Sequence, residues 1–374
     1  MADVVLVDLA LRWGGAEKRV LQLATGLATS GITTTVVCLG QGALATKLAQ
    51  EGLSYVALPY GRGDPRAVVA LIRILRQERP QVVDAHNVQS QLWSMLACLG
   101  SGPKKRVATV HSEYRWSEGG TALRGRAYEG VLRLLARAGW SYVAVTDSVG
   151  RYLATLGIGV TTVWSAVEPV LPDPSRNTVV RGELGLSADD FVVVCVARLV
   201  PAKDHKVLLE AVAEVVQELP RLQVLLVGDG PLEQELRDQQ RSLGLDRVVR
   251  FLGRRDDVED LLGASDLCVL TSRTEGLPYA LLEAVAVGTP VLSTNVGAIP
   301  SLLVCGRDAE LVEPGCPDQV ARGLTRAYAQ PAAWRERAGR ARRGMETRGG
   351  AGPMVEATRR AYDMGDVLGR AVAR

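Results

Sequence analysis

What most constrains this chain is an alternation, kept up along most of its length, of short β-rich apolar runs with longer stretches of helical periodicity. That pattern belongs to a parallel sheet covered by helices. Strands are expected near 3–7, 33–38, 54–57, 81–85, 106–110, 142–146 and 161–164, and again near 191–197, 224–229, 248–253, 267–272 and 290–295. Between the two sets, EPVLPDPSRNT (168–178) carries three prolines and no apolar periodicity, and reads as a linker. The expectation is an α/β chain of two Rossmann-like, doubly wound parallel-sheet domains, 1–167 and 181–374, joined by a hinge at 168–180, with the last helices free to pack back on the first domain. Ligands bind beyond the carboxyl ends of strands in open parallel sheets, so two such domains facing each other predict a shared interdomain cleft.

Composition narrows the function classes. A length of 374 residues suits two cores, and 47% hydrophobic with 23% charged residues is ordinary for a globular chain. A net charge of +3 excludes a dedicated nucleic-acid binder. No run approaches the ~18 apolar residues of a membrane span, and MADVVLVDLALRWGG lacks the layout of a signal peptide, so a cytoplasmic protein is expected. The six cysteines form no C-x-x-C pair and read as reduced, packed thiols.

The most informative segment is SRTEGLPYALLEAVAVGTPVLSTNVGAIP (272–300). It starts where a strand ends, and Pro278 can occupy the first turn of the next helix. Helical geometry would then separate Glu275 from Glu283 by ~12 Å and about 80°. Such a pair suits the two ends of a long polyhydroxylated ligand, with the backbone amides of Gly276, Leu277 and Pro278's successors aimed at an anion between them; the plainer account is a helix cap and a surface carboxylate. In VARLVPAKDHKVLLEA, Arg198 and Lys203 follow a strand end, where two cations can neutralise a diphosphate or simply lie in water. Gly14-Gly15-Ala16-Glu17 after the first strand allows close backbone approach to a ligand, as it would in an ordinary turn.

In order along the chain, Gly14-Gly15-Ala16-Glu17, His111, Arg198 and Lys203, Gly228-Asp229-Gly230-Pro231, Phe251-Leu252-Gly253, Glu275…Glu283 and Gly288-Thr289-Pro290 resemble the retaining nucleotide-sugar glycosyltransferases of family 4, whose fold is called GT-B. The resemblance implies sugar transfer from a nucleotide-diphosphate donor to a glycan, lipid-linked or small-molecule acceptor, without metal or cofactor. It implies that Glu283 holds the ribose, Glu275 the donor sugar, and Arg198 and Lys203 the diphosphate. Gly15 would approach the phosphates, Gly253 and Arg254 would face the base, and His111 would contact the donor sugar near the reacting carbon. His86 and Asn87 are the acceptor-side candidates, although many relatives carry a further His where this chain has Asp84. Two other departures stand out: Ser165-Ala166-Val167-Glu168 replaces Asn-Gly-Val-Asp, and Pro300-Ser301 replaces Pro-Glu.

Rival readings are weaker. A dehydrogenase would need the third glycine of G-x-G-x-x-G, where Glu233 stands, and no G-x-x-x-x-G-K-[ST] loop or Asp-x-Asp pair is present. An epimerase of the same fold would be expected to bring more acid/base groups. An inactive binding or scaffolding subunit is kept open by the replaced Asn-Gly-Val-Asp and opposed by the intact Arg198, Lys203, Glu275 and Glu283. Finally, TALRGRAYEGVLRLLARAGW (121–140) predicts a helix with Leu123, Val131, Leu134, Leu135 and Ala138 among its apolar residues and Arg126, Arg133 and Arg137 on one face. Flanked by Trp116 and Trp140 and aided by Lys104-Lys105-Arg106, it is either an ordinary helix with arginines in water or a peripheral contact with the inner face of a membrane.

Overall fold

The computed structural model describes residues 1–11, 13–99, 102–113, 122–167, 173–348 and 350–364. Two compact units divide the chain: one runs up to Ala166 and takes in the segment from Ala351 onward, and the other runs from Val167 to Gly350. The first holds β1 (Val4–Asp8), β2 (Thr34–Leu39), β3 (Tyr55–Leu58), β4 (Val82–His86), β5 (Lys105–Val110), β6 (Ser141–Ala144) and β7 (Thr161–Thr162) in the order β3-β2-β1-β4-β5-β6-β7, with every pair parallel. The second holds β8 (Phe191–Val196), β9 (Leu222–Val227), β10 (Val249–Gly253), β11 (Leu267–Leu270), β12 (Val291–Thr294) and β13 (Glu310–Val312) in the order β10-β9-β8-β11-β12-β13, again parallel throughout. Each is a doubly wound sheet whose strand order reverses beside its first strand.

The expected strands are all present within a few residues, and β13 is the addition, too short at three residues to stand out as an apolar run. Crossover helices cover both faces of each sheet, which is why VVLVD and FVVVCV are buried along nearly their whole length. Cys38, Cys195 and Cys268 lie in these strands and Cys98 beside them; burial pushes the Cys38 thiol up to about 11 and that of Cys195 to about 12. Cys305, by contrast, is on the surface.

Part of the segment read as linker is helical. Asp173 accepts hydrogen bonds from the amides of Ser175 (2.9 Å) and Arg176 (3.4 Å) and so caps the helix Pro174–Glu183. An Asp-Pro step is an N-terminal helix signal, and three prolines in a row of eleven residues obscured it. Residues 168–172, with Glu168, lie outside the described residues, as do Trp116 and Thr121.

The helix Ala122–Arg137 turns Leu132, Leu135 and Glu129 inward and Arg126, Arg133 and Arg137 outward. Leu134 and Ala138, grouped with the apolar residues on sequence, are exposed, Leu134 by 48%. Glu129 occupies the inner face instead and accepts a hydrogen bond from the Tyr152 hydroxyl at 3.5 Å. Trp140 is buried, and Lys105 is engaged by Asp363 at 2.5 Å. No helix among the described residues is long and apolar enough to cross a membrane.

The helix Ala351–Ala361 packs in the first unit, where Met354, Val355 and Tyr362 join Val20, Leu23 and Leu27 in one core. Gly26, inside the helix Gly15–Thr29, makes the approach possible: a Cβ there would stand 2.3 Å from a methyl of Val355. Gly26→Ala should therefore destabilise the protein by about 1–3 kcal/mol, although alanine is the better helix former by about 1 kcal/mol. Val355→Ala in the same chain should recover part of the loss in urea denaturation; simple additivity of the two changes would show that they do not meet.

Candidate functional site

Within the second unit the strand order reverses between β8 and β11. One crossover leaves β8 toward β9 and the other arrives at β11, so their carboxyl ends part and leave a crevice. The sequence candidates collect on the loops that line it. After β8 the chain passes exposed Arg198, then a short 3-10 turn (Pro201–Lys203) that ends on Lys203. After β11 it passes Ser272 and reaches Glu275. The Lys203 ammonium and the Ser272 hydroxyl both donate to Oε1 of Glu275, at 2.5 and 2.6 Å. The pair is largely enclosed, and an enclosed pair is costly to break because the partner left behind is a buried charge. Cys195, beneath it in β8, lies close enough to feel both charges.

Four further contacts hold this arrangement in place. The Thr271 hydroxyl donates to the carbonyl of Asp204 (3.0 Å), the Arg273 amide to that of Ala202 (2.9 Å), the Thr294 hydroxyl to that of Ser272 (2.7 Å), and the Ala298 amide to that of Gly276 (3.2 Å). Gly297, at φ +60, leaves room for the chain: a Cβ there would sit 1.9 Å from the Glu275 carbonyl oxygen. The amides of Gly276 and Leu277 meet no acceptor among the described residues.

Pro278 is the N-cap of the helix Tyr279–Val287 and not a residue of its first turn. Helical rise therefore does not run through 275–278, and the ~12 Å separation expected from it does not carry over. Glu283 is buried within that helix. Gly253 ends β10 at φ +63 and Arg254 follows it, exposed. Gly228 and Gly230, which suggested a dinucleotide fingerprint, have a packing role: a Cβ on either would fall 2.1 or 2.2 Å from the carbonyl oxygens of Ala197 and Leu199, on the segment that carries Arg198.

The first unit has the same reversal between β1 and β4. Gly14 caps the helix after β1 and Gly15 is its first residue. Asn87, at φ +63, accepts from the Ser90 amide (3.0 Å) and donates through Nδ2 to Asp8 (2.7 Å), tying the two strand ends together. His86 closes β4 with 0% exposure, so its influence on any ligand passes through a neighbour. That neighbour is half-buried His111, just past β5, whose Nε2 lies 2.9 Å from His86 Nδ1. Burial, then His86, then Arg19 hold the His111 ring well below the usual histidine range. His205 begins the helix His205–Val215 and is buried there, which takes its pKa down to about 4.

Sequence reasoning passed over Asp8 and Arg19 and met Asp84 only as a departure from the family pattern; all three are buried charged residues. Asp84 stands inside β4 and Asp8 closes β1, and Arg19, 1% exposed, donates to the Ser165 hydroxyl at 2.7 Å, in the segment that departs from the family pattern. A charge inside a Val-rich run was the available signal, since burial demands a partner.

Comparisons with known proteins bear on the family and the fold. The family model described as "Glycosyl transferases group 1" matches residues 177–345, and "Glycosyltransferase Family 4" matches 13–168. The chain is 26% identical over 284 residues, 70% of each protein, to the UDP-Gal:alpha-D-GlcNAc-diphosphoundecaprenol alpha-1,3-galactosyltransferase of Escherichia coli. It is 32% identical to the N-acetyl-alpha-D-glucosaminyl L-malate synthase of Bacillus anthracis over a shorter stretch, 41% of this chain and 40% of that one. Anabaena HepE in complex with UDP-glucose superposes with a TM-score of 0.84 at 20% identity, covering 99% of this chain and 100% of that one, which shows the shared GT-B fold.

Gly297→Ala tests how the Glu275 loop is held. A side chain at positive φ against a fixed carbonyl should cost about 1–3 kcal/mol and lower the melting temperature by several degrees. An unchanged melt would show that the loop is not clamped there.

Proposed function

The chain belongs to glycosyltransferase family 4, and from that premise we propose that it moves a sugar from a nucleotide-diphosphate donor to a lipid-linked or glycan acceptor with retention of anomeric configuration. The observation that carries the reading is the Lys203–Glu275 pair at the β8/β11 reversal, with Arg198 exposed beside it and the free amides of Gly276 and Leu277 next to it. In this reading the diphosphate takes the charges of Arg198 and Lys203 and the two amides. Glu275, still held by Ser272, turns its remaining acceptor capacity to the sugar hydroxyls, and Glu283 takes the ribose. Gly253 and Arg254 border the base, and His111 meets the sugar.

Bond breaking puts negative charge on the departing diphosphate, and cations fixed in advance stabilise that charge more than they stabilise the bound donor. The donor's own phosphate oxygen takes the proton of the acceptor hydroxyl as that hydroxyl attacks the same face of the sugar. No protein nucleophile is required, so a carboxylate pair set as in glycosidases is not needed.

A lipid-linked acceptor is favoured by two things: the diphosphoundecaprenol named for the Escherichia coli relative, and the helix Ala122–Arg137, where Arg126, Arg133 and Arg137 share an exposed face and Leu134, also exposed, borders it. A basic face edged by an apolar side chain suits an anionic bilayer surface.

Three measurements test the proposal. Arg198→Ala and Lys203→Ala should each lower kcat by about 10² to 10³, and Glu283→Ala should chiefly raise the KM for the donor; wild-type turnover in all three would remove these residues from the site. NMR of the product should show the donor's anomeric configuration, and inversion would refute the mechanism. The protein should sediment with anionic but not neutral vesicles at low salt and lose that binding when Arg126, Arg133 and Arg137 become Ser; equal binding to both vesicles would favour a soluble acceptor.

A further inference from the structure

Behind His111 the first unit contains a buried set of polar groups, Asp84, His86, Thr109 and Tyr362, that the transfer chemistry above does not use. Asp84 is enclosed in β4 and receives the Thr109 hydroxyl at 2.8 Å and, on Oδ2, the Tyr362 hydroxyl at 2.6 Å. His86 Nε2 stands 3.4 Å from the same Oδ2 and has no other polar partner among the described residues. His86 Nδ1 lies 2.9 Å from His111 Nε2. We propose that Asp84 sets the tautomer of His111 through His86, so that His111 presents an unprotonated Nδ1 as an acceptor for a ligand hydroxyl. The part that concerns the ligand rests on the glycosyltransferase reading; the proton arrangement does not.

The placement follows from electrostatics. A bare ring nitrogen facing a carboxylate at this distance is repelled, so His86 carries a proton on Nε2. Its Nδ1 is then the lone pair that accepts the N–H of His111 Nε2, and His111 Nδ1 is left without a proton. For this to hold, Asp84 must be ionised and the rings neutral. Burial alone would raise the Asp84 carboxyl, but His86 and the Tyr362 and Thr109 hydroxyls together bring it below the ordinary carboxylate range. His111 is held neutral by burial, His86 and Arg19.

The other groups facing the pair agree. From β1, Asp8 is raised by burial, against His86, the Ala10 amide and Asn87, and so competes weakly for a His86 proton. From the helix Gly15–Thr29, buried Arg19 places a positive charge near His111, which disfavours a second one on that ring. Tyr362, from the end of the last helix, stays a neutral donor because burial and Asp84 raise it well above its usual value. Asp84 and Tyr362 are thus positioning residues.

The chain has only three histidines, so the rings can be read directly in full-length protein labelled with 15N-histidine. Long-range 1H–15N spectra near pH 7.5 should show His111 as the Nε2–H tautomer, and Asp84→Asn, whose amide can donate or accept, should mix or reverse it. His111 protonated at Nδ1, a His86 imidazolium at that pH, or an unchanged tautomer in Asp84→Asn would overturn the proposal. Should Asp84→Asn fail to fold by circular dichroism, Tyr362→Phe keeps the carboxylate and removes one donor. The tautomer should then be lost on acidification about 0.5 to 1 pH unit higher than in wild type, and an unmoved titration would count against the relay. In transfer assays Asp84→Asn should lower kcat/KM about tenfold. If His111→Ala leaves transfer intact, the sugar-contact reading of His111 fails while the spectra still judge the relay.

Discussion

A parallel sheet whose crossover helices bury both faces has almost nowhere to keep a charge except at its strand ends. In both units the strand order reverses beside the first strand, and the divergence of two crossovers there opens the strand ends without exposing the sheet. The polar chemistry gathers at these two places. In the second unit, loops 72 residues apart in sequence bring Lys203 to Glu275; in the first, Asn87 joins β4 to Asp8 on β1. The glycines serve the same end, because Gly228, Gly230 and Gly297 let backbone meet backbone where any side chain would force the loops apart.

How much of this can be read from residues alone follows from what sets each feature. Strands such as 4–8 and 191–196 are legible because burial on both faces demands unbroken apolar runs, and β13 escapes because three residues cannot make one. The helix start at Pro174 is legible in its Asp-Pro step once proline is counted as a starter as well as a breaker. The mutual partnership of Lys203 and Glu275 is not, since local spacing says nothing about loops that meet through topology; only the resemblance to a family joined them. The error over Pro278 has a local cause, in that one residue decides whether helical geometry may be applied upstream.

The two sites manage buried charge differently. In the second unit Lys203 and Glu275 satisfy one another, and backbone contacts around them hold the loops in place; in the proposed function a ligand replaces each as partner. The first encloses Asp84 and Arg19 permanently and surrounds them with hydroxyls and imidazoles that have fixed partners.

The packing of the helix Ala351–Ala361 in the first unit has a consequence for biosynthesis. Val20, Leu23 and Leu27 wait for Met354 and Val355, and Asp84 for the hydroxyl of Tyr362. At ribosomal speeds of about 5–20 residues per second, the stretch between the two parts of that unit takes roughly ten to forty seconds to synthesise. Through that interval a nascent N-terminal half carries an uncovered apolar groove and an incompletely solvated carboxylate. The described residues of the second unit form one stretch of sequence and can fold as they emerge, so the unit begun first is the unit finished last.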